Sequence, residues 1–94
     1  MYPTKLFTFF SDPGHAWLKV SLEDVKTVGL THDSFSQYSF YQNLPKGPFL
    51  YLEEDQDAGV FVKAFEEKYG HKPNFREKYS NNSSTIRSYN RLKG

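Results

Sequence analysis

Three polar residues close together in the chain have side chains that can do chemistry. Ser11, Asp12 and His15 offer a nucleophile, an acid and a base, all within five positions. Natural triads are instead usually assembled from distant segments. The Asp-Pro-Gly sequence at 12–14 combines a side-chain acceptor, a fixed φ and a residue free to adopt positive φ, so it predicts a turn. One interpretation is a small hydrolase or metal-dependent enzyme centred on Asp12 and His15.

The same stretch has two further interpretations that involve no catalysis. In the first, Asp12 bonds the backbone of its own turn and His15 is a hairpin residue packed beside an aromatic ring. In the second, His15 and Trp17 form a binding loop, because amphipathic aromatic side chains often contact partners. The residue types alone leave all three interpretations open.

Acidic residues further along the chain are candidate metal ligands. Asp55, Asp57 and Glu66 fall at positions one, three and twelve of a calcium loop. Position six of that loop needs glycine, and Val60 stands there. The three histidines are far apart in sequence, and the chain has no cysteine. We therefore expect no metal and no cofactor, and we expect Asp55 or Asp57 to cap a helix.

The elements that position these residues begin with a hairpin. Residues 5–10 and 16–20 predict two strands on either side of the Asp-Pro-Gly turn. Alternation in the second strand places Ala16, Leu18 and Val20 on one face and Trp17 and Lys19 on the other. Ser21, with Asp24 three residues later, predicts the start of a short helix, and Gly29 predicts its end.

The second half of the chain repeats this order. Residues 38–40 and 49–52 predict a second hairpin, after a polar loop over 31–36. Apolar residues at helical spacing predict a longer helix that ends at about Tyr69, before Gly70. Residues 75–79 predict a fifth strand, which we expect at an edge of the sheet.

This order of elements, ββαββαβ, predicts an α+β fold with one mainly antiparallel sheet covered by the longer helix. We expect a single domain over residues 1–79 and a polar C-terminal arm or tail over residues 80–94.

Composition restricts the environment of this domain. The chain has 94 residues, a net charge of +1 and no cysteine, which excludes disulfides and thiolate zinc sites. The first residues lack the apolar core of a signal peptide, and no run approaches the roughly 20 apolar residues that span a bilayer. We therefore expect a soluble, cytoplasmic protein that does not contact a membrane.

The aromatic content, 18% of the residues, exceeds what so small a core can bury. An aromatic patch should remain on the surface as a binding or self-association site, so a homodimer is possible. The C-terminal third interleaves cations with aromatic rings, the pairing used on single-stranded nucleic acids. The binding candidates there are Arg76, Arg87, Tyr89 and Arg91, and the interleaved set also contains Lys72, Lys78 and Tyr79.

Three stretches resemble a family. SDPGHAWLKV at 11–20, YSF at 38–40 and YLEEDQDA at 51–58 are similar to stretches of small uncharacterised accessory proteins carried by bacteriophages and other mobile elements. This resemblance implies a context in which small proteins bind a host protein, including defence or transcription machinery.

Our leading hypothesis is therefore a non-enzymatic module that binds a host protein and inhibits it. It would use Trp17, Tyr38 and Tyr41 together with the charged arm. The alternatives are a nucleic-acid-binding accessory protein that uses the arm itself and an enzyme centred on Asp12 and His15.

Overall fold

The computed structural model describes residues 6–36, 39–45, 47–79 and 90–91. Their elements, in chain order, are β1 (Leu6–Ser11), β2 (Ala16–Ser21), α1 (Leu22–Thr27), a short 3-10 helix (His32–Ser34), β3 (Phe40–Leu44), β4 (Gly47–Glu53), α2 (Asp57–Tyr69), β5 (Asn74–Tyr79) and β6 (Asn90–Arg91). This arrangement confirms the predicted α+β class and the order ββαββαβ, to which a two-residue sixth strand is added.

All the strands belong to one sheet, in the order β5-β1-β2-β4-β3-β6. The two hairpins are antiparallel, as predicted, and β2 pairs with β4 to join them. At one edge β5 runs parallel to β1, whereas β6 pairs antiparallel with β3 at the other edge. The prediction that the fifth strand lies at an edge is confirmed.

Helix α1 begins and ends as the sequence predicts. The Ser21 hydroxyl accepts a hydrogen bond from the Asp24 amide at 3.0 Å, and the Asp24 carboxylate accepts one from the Ser21 amide at 3.1 Å. At the other end Gly29 has a φ of 85°. The Leu30 amide donates to the Val25 carbonyl at 3.0 Å, which satisfies a carbonyl that the helix leaves without a partner.

The start of α2 differs from the prediction. Neither Asp55 nor Asp57 caps the helix, because Gln56 is the N-cap and makes no side-chain capping bond. Asp57 is instead the first helical residue, and its carboxylate accepts hydrogen bonds from Ser36 and Ser39. The end is as predicted: Gly70 has a φ of 77°, and its amide donates to the Glu66 carbonyl at 2.8 Å.

The main core lies between α2 and one face of the sheet, which we call the helix face. Phe61 and Phe65 of α2 pack there against residues from three strands and from α1. The buried members of this cluster are Phe7, Leu18, Val20, Val25, Phe35, Leu50, Leu52, Ala58, Phe61 and Phe65. Phe35 was not predicted as a core residue, since it lies in a stretch that is otherwise polar.

The opposite face of the sheet, which we call the second face, carries a smaller aromatic cluster. Trp17, Phe40 and Tyr51 are buried there, with Phe10 and Phe49 packed against them. The alternation of β2 therefore places Leu18 and Val20 on the helix face and Trp17 on the second face, as predicted for this strand.

Gly70, directly after α2, and Gly59, inside it, provide a matched test of the C-terminal stop of the helix. A Cβ added to Gly70 or to Gly59 would meet nothing within 4 Å, but only Gly70 has a positive φ. We expect Gly70→Ala to lower the free energy of unfolding by about 1–2 kcal/mol, the cost of a left-handed L-residue. We expect Gly59→Ala to raise it by about 0.5–1 kcal/mol, because alanine favours the helix. Urea unfolding of both variants measures these changes. If both substitutions changed the free energy of unfolding in the same direction, the assignment of Gly70 as the left-handed stop of α2 would be wrong.

Candidate functional site

The turn between β1 and β2 uses the Asp12 carboxylate to hold its own backbone. Asp12 Oδ1 accepts hydrogen bonds from the amides of Gly14 and His15, both at 3.0 Å. The Asp12 amide donates to the His15 carbonyl at 2.9 Å, which closes the turn. The side chain is 5% exposed. The interpretation that Asp12 bonds the backbone of its own turn is confirmed.

His15 and Trp17 lie together at the end of this hairpin, but in different environments. His15 is exposed, and its ring centroid lies 5.8 Å from that of Trp17. Trp17 is only 2% exposed and packs edge-on against Phe40 at 6.2 Å. This burial does not fit the hypothesis that Trp17 contacts a partner, because the indole packs inside the fold among the rings of the second face.

The other predicted binding residues do not form one surface within the described residues. Tyr41 is half-buried in β3, opposite Leu50. Arg76 is exposed in β5, and Arg91 pairs with Phe40 in β6. Four strands separate β5 from β6. At about 4.8 Å per strand, Arg76 and Arg91 lie roughly 24 Å apart across the sheet. Tyr38, Arg87 and Tyr89 lie outside the described residues.

An exposed edge strand is the feature that the structure adds. All six residues of β5 are exposed. Phe75 is 38% exposed and Tyr79 is 64% exposed, and Leu6 at the start of β1 is 48% exposed. Of the four large hydrophobic side chains that are exposed in the described part of the chain, these three lie on β1 and β5. We call Phe75, Arg76, Lys78 and Tyr79 the β5 edge surface.

The two faces of β5 carry different side chains. Phe75 is in register with Phe7 and packs beside Phe9, with ring centroids 5.1 Å apart, so it lies on the helix face. Tyr79 lies four residues further on and shares that face. Arg76 and Lys78 alternate with these rings and therefore lie on the second face.

A third cation lies on the second face, two strands from β5. The Lys19 ammonium sits 4.5 Å from the centre of the Phe49 ring, within the range of a cation–π contact. Phe10, half-buried, has its ring centroid 6.2 Å from that of Tyr51. The second face thus combines cations with partly exposed aromatic rings.

Arg76, Lys78 and Tyr79 belong to the cations and rings that the sequence interleaves in its C-terminal third, whereas Phe75 was not among them. The signal was present, because aromatic and charged residues alternate from Phe75 to Tyr79 with the period of a strand. What the alternation did not indicate is that both faces of the strand remain exposed. That exposure results from the place of β5 at the edge of the sheet.

No family model, curated protein or solved structure matches this chain. In the described ranges, no helix is both long and apolar enough to cross a bilayer. The same residues contain no group of three histidine, aspartate or glutamate side chains that could hold a metal ion. The elements and the β5 edge surface define a small α+β domain with an exposed, aromatic and basic edge strand.

Proposed function

We propose that this protein is a non-enzymatic binding module that attaches to another protein through the β5 edge surface. The observation that carries the proposal is the exposure of Phe75 and Tyr79 beside Arg76 on one edge strand. Aromatic residues and arginine are enriched at protein interfaces and dominate their binding energy. The turn bonds of Asp12 support a module without catalysis, because they give the carboxylate a structural role.

The biological context of the proposal rests on the resemblance to accessory proteins of bacteriophages and mobile elements. In that context the partner is a bacterial host protein in the cytoplasm, and binding inhibits a defence or transcription factor. Lysate from a bacterial host is accordingly the source in which we would search for the partner.

The test compares proteins captured by matched variants. Tagged wild-type protein, a Phe75→Ser/Tyr79→Ser variant and a Val60→Ser variant are incubated with nuclease-treated bacterial lysate. Val60 is 37% exposed on α2, so its replacement removes a similar exposed apolar group outside the β5 edge surface. We expect one stoichiometric protein to be retained by the wild type and the Val60 variant and lost by the double variant.

Folding of each variant is checked by circular dichroism and urea unfolding. Tyr79→Ser alone is included in case the double variant does not fold. The Tyr79 ring is 64% exposed and contributes little packing, whereas Phe75 contacts Phe9. Equal capture by all variants would overturn the proposal, as would the absence of any stoichiometric protein.

The second candidate is a nucleic-acid-binding protein, and one observation favours it. Lys19, Arg76 and Lys78 share the second face with the half-buried rings of Phe10 and Phe49. Single-strand binding proteins combine a basic surface with stacking aromatic rings in this way. Recovery of nucleic acid alone from untreated lysate, with a yield that falls as salt is raised, would favour this candidate over protein binding.

A further inference from the structure

The outer side of β5 is a template for another strand. In a parallel pair, alternate residues of β5 direct their amide and carbonyl groups toward β1, and the residues between them direct theirs outward. In the described part of the chain, no strand pairs with that outer side. Such an edge can accept an extended segment through backbone hydrogen bonds, with its side chains selecting which segment binds.

The first possible occupant is a second copy of β5. In an antiparallel pair of two β5 strands related by a twofold axis, residues that stand directly opposite each other project on the same face of the sheet. If the axis passes Arg76, that residue faces its own copy. If it passes Glu77, Arg76 faces Lys78 and Glu77 faces Glu77.

These two registers therefore bring like charges within about 5 Å, which is destabilising. A register about Phe75 avoids this but pairs only residues 74–76 of the strand, because Pro73 has no amide hydrogen to donate. The charges of β5 thus act against pairing with itself, as lysines commonly do on edge strands.

Two of these charges, those of Arg76 and Lys78, favour an acidic occupant. Arg76 and Lys78 are exposed, lie two residues apart and project on the second face, so they match acidic side chains at alternate positions of a strand. Phe75 and Tyr79 on the helix face match apolar side chains at the intervening positions. Glu77 lies between these two rings on the helix face, so an uncharged side chain also suits the position opposite it.

We propose that β5 accepts an extended acidic segment of the partner protein as an added strand, in which acidic residues alternate with apolar ones. This inference rests on the proposed function and adds to it the kind of segment that binds. Its acidic residues meet Arg76 and Lys78, and its backbone pairs with the outer side of β5.

The probe is a dye-labelled synthetic peptide of about eight residues, a typical strand length, that alternates glutamate with valine. Fluorescence anisotropy measures its binding to the full chain. Two matched peptides carry lysine for glutamate or a proline in the middle, which removes a ladder hydrogen bond. We expect the acidic peptide to bind at least roughly tenfold more tightly than either control, a difference of about 1.4 kcal/mol.

Two protein variants locate the binding. Arg76→Gln/Lys78→Gln removes the two positive charges of β5, and Lys63→Gln/Lys68→Gln removes two positive charges from exposed positions of α2. We expect the first variant to lose roughly tenfold in affinity and the second to lose less than about twofold. Amide hydrogen exchange over residues 75–79 should also slow when the acidic peptide is bound, because strand addition protects the backbone.

The inference fails if the three peptides bind equally, if the acidic peptide does not bind at millimolar concentration, or if both variants lose the same affinity. Failure of the inference and failure of the proposed function can be told apart. If a protein is captured from lysate and its capture requires Tyr79 but not Arg76 and Lys78, the inference of an acidic strand is wrong and the proposed function still stands.

Discussion

Replacing Phe61 with alanine is expected to lower the free energy of unfolding by about 3–5 kcal/mol, the usual cost of truncating a buried phenylalanine. Phe61 is fully buried in the core under the helix face. Its ring packs edge-on against Phe7 at 5.4 Å and lies 6.2 Å from Phe65. A domain of this size has only about 5–15 kcal/mol of stability in total, so the variant should unfold at much lower urea concentration.

The matched control for this prediction is Val60→Ala, one residue earlier on the same helix. Val60 is 37% exposed, so its truncation should change stability by no more than about 0.5 kcal/mol. Urea unfolding followed by circular dichroism measures both variants. A loss below about 1 kcal/mol for Phe61→Ala would show that α2 does not bury this ring against the sheet.

Replacing Asp57 with alanine is expected to cost about 2–4 kcal/mol, because several hydrogen bonds to a buried charged group would be lost. Asp57 is 1% exposed at the start of α2. Its carboxylate accepts hydrogen bonds from the Ser36 amide at 3.0 Å, from the Ser36 hydroxyl at 2.7 Å and from the Ser39 hydroxyl. Without the carboxylate, the buried Ser39 hydroxyl and the two partly buried Ser36 donors would each lose this acceptor.

Two further variants separate this network from a general effect of charge. Asp55→Ala removes an exposed carboxylate two residues earlier, and its expected effect is below about 0.5 kcal/mol. A double-mutant cycle of Asp57→Ala with Ser39→Ala should give a coupling energy of roughly 1 kcal/mol or more, since the two side chains are bonded directly. Additive effects in the cycle would contradict the network.

The Asp57 network also joins three parts of the fold. The Ser39 hydroxyl, besides donating to Asp57, accepts a hydrogen bond from the Glu53 amide at 3.0 Å, so the end of β4 is connected as well. Ser36 and Ser39 precede β3, which pairs with β4. The network therefore holds the start of α2 against the second hairpin, and through α2 it supports the core beneath β1.

Local features of this protein were predictable from the sequence because their partners are close in the chain. Ser21 and Asp24 form a reciprocal cap across three residues, and Gly29 and Gly70 adopt the positive φ that their positions after a helix predict. The Asp12 turn spans three residues as well. Strand alternation placed Leu18 and Val20 on one face. In each case the hydrogen bond or the side-chain alternation involves only residues that are close in the chain, so a short stretch of sequence is enough to predict it.

The candidate site was only partly predictable for the opposite reason. Alternation shows that β2 has two faces, but it does not show that both are covered, so Trp17 was assigned to a binding surface although it is buried. Arg76 and Tyr79 were both named from the sequence and both are exposed, but Phe75 was not named, because its exposure depends on the position of β5 in the sheet.

The sequence by itself thus determined the order of the two hairpins, the two helices and β5, the Asp12 turn, both caps of α1 and the stop of α2. Only the tertiary structure decided that β5 runs parallel to β1, that β6 closes the other edge beside β3, and that Asp57 bonds serines 18 and 21 residues away. The physical reason is distance along the chain. Which distant segments pair depends on how their hydrophobic faces pack together in the folded protein, and local sequence patterns do not predict that packing.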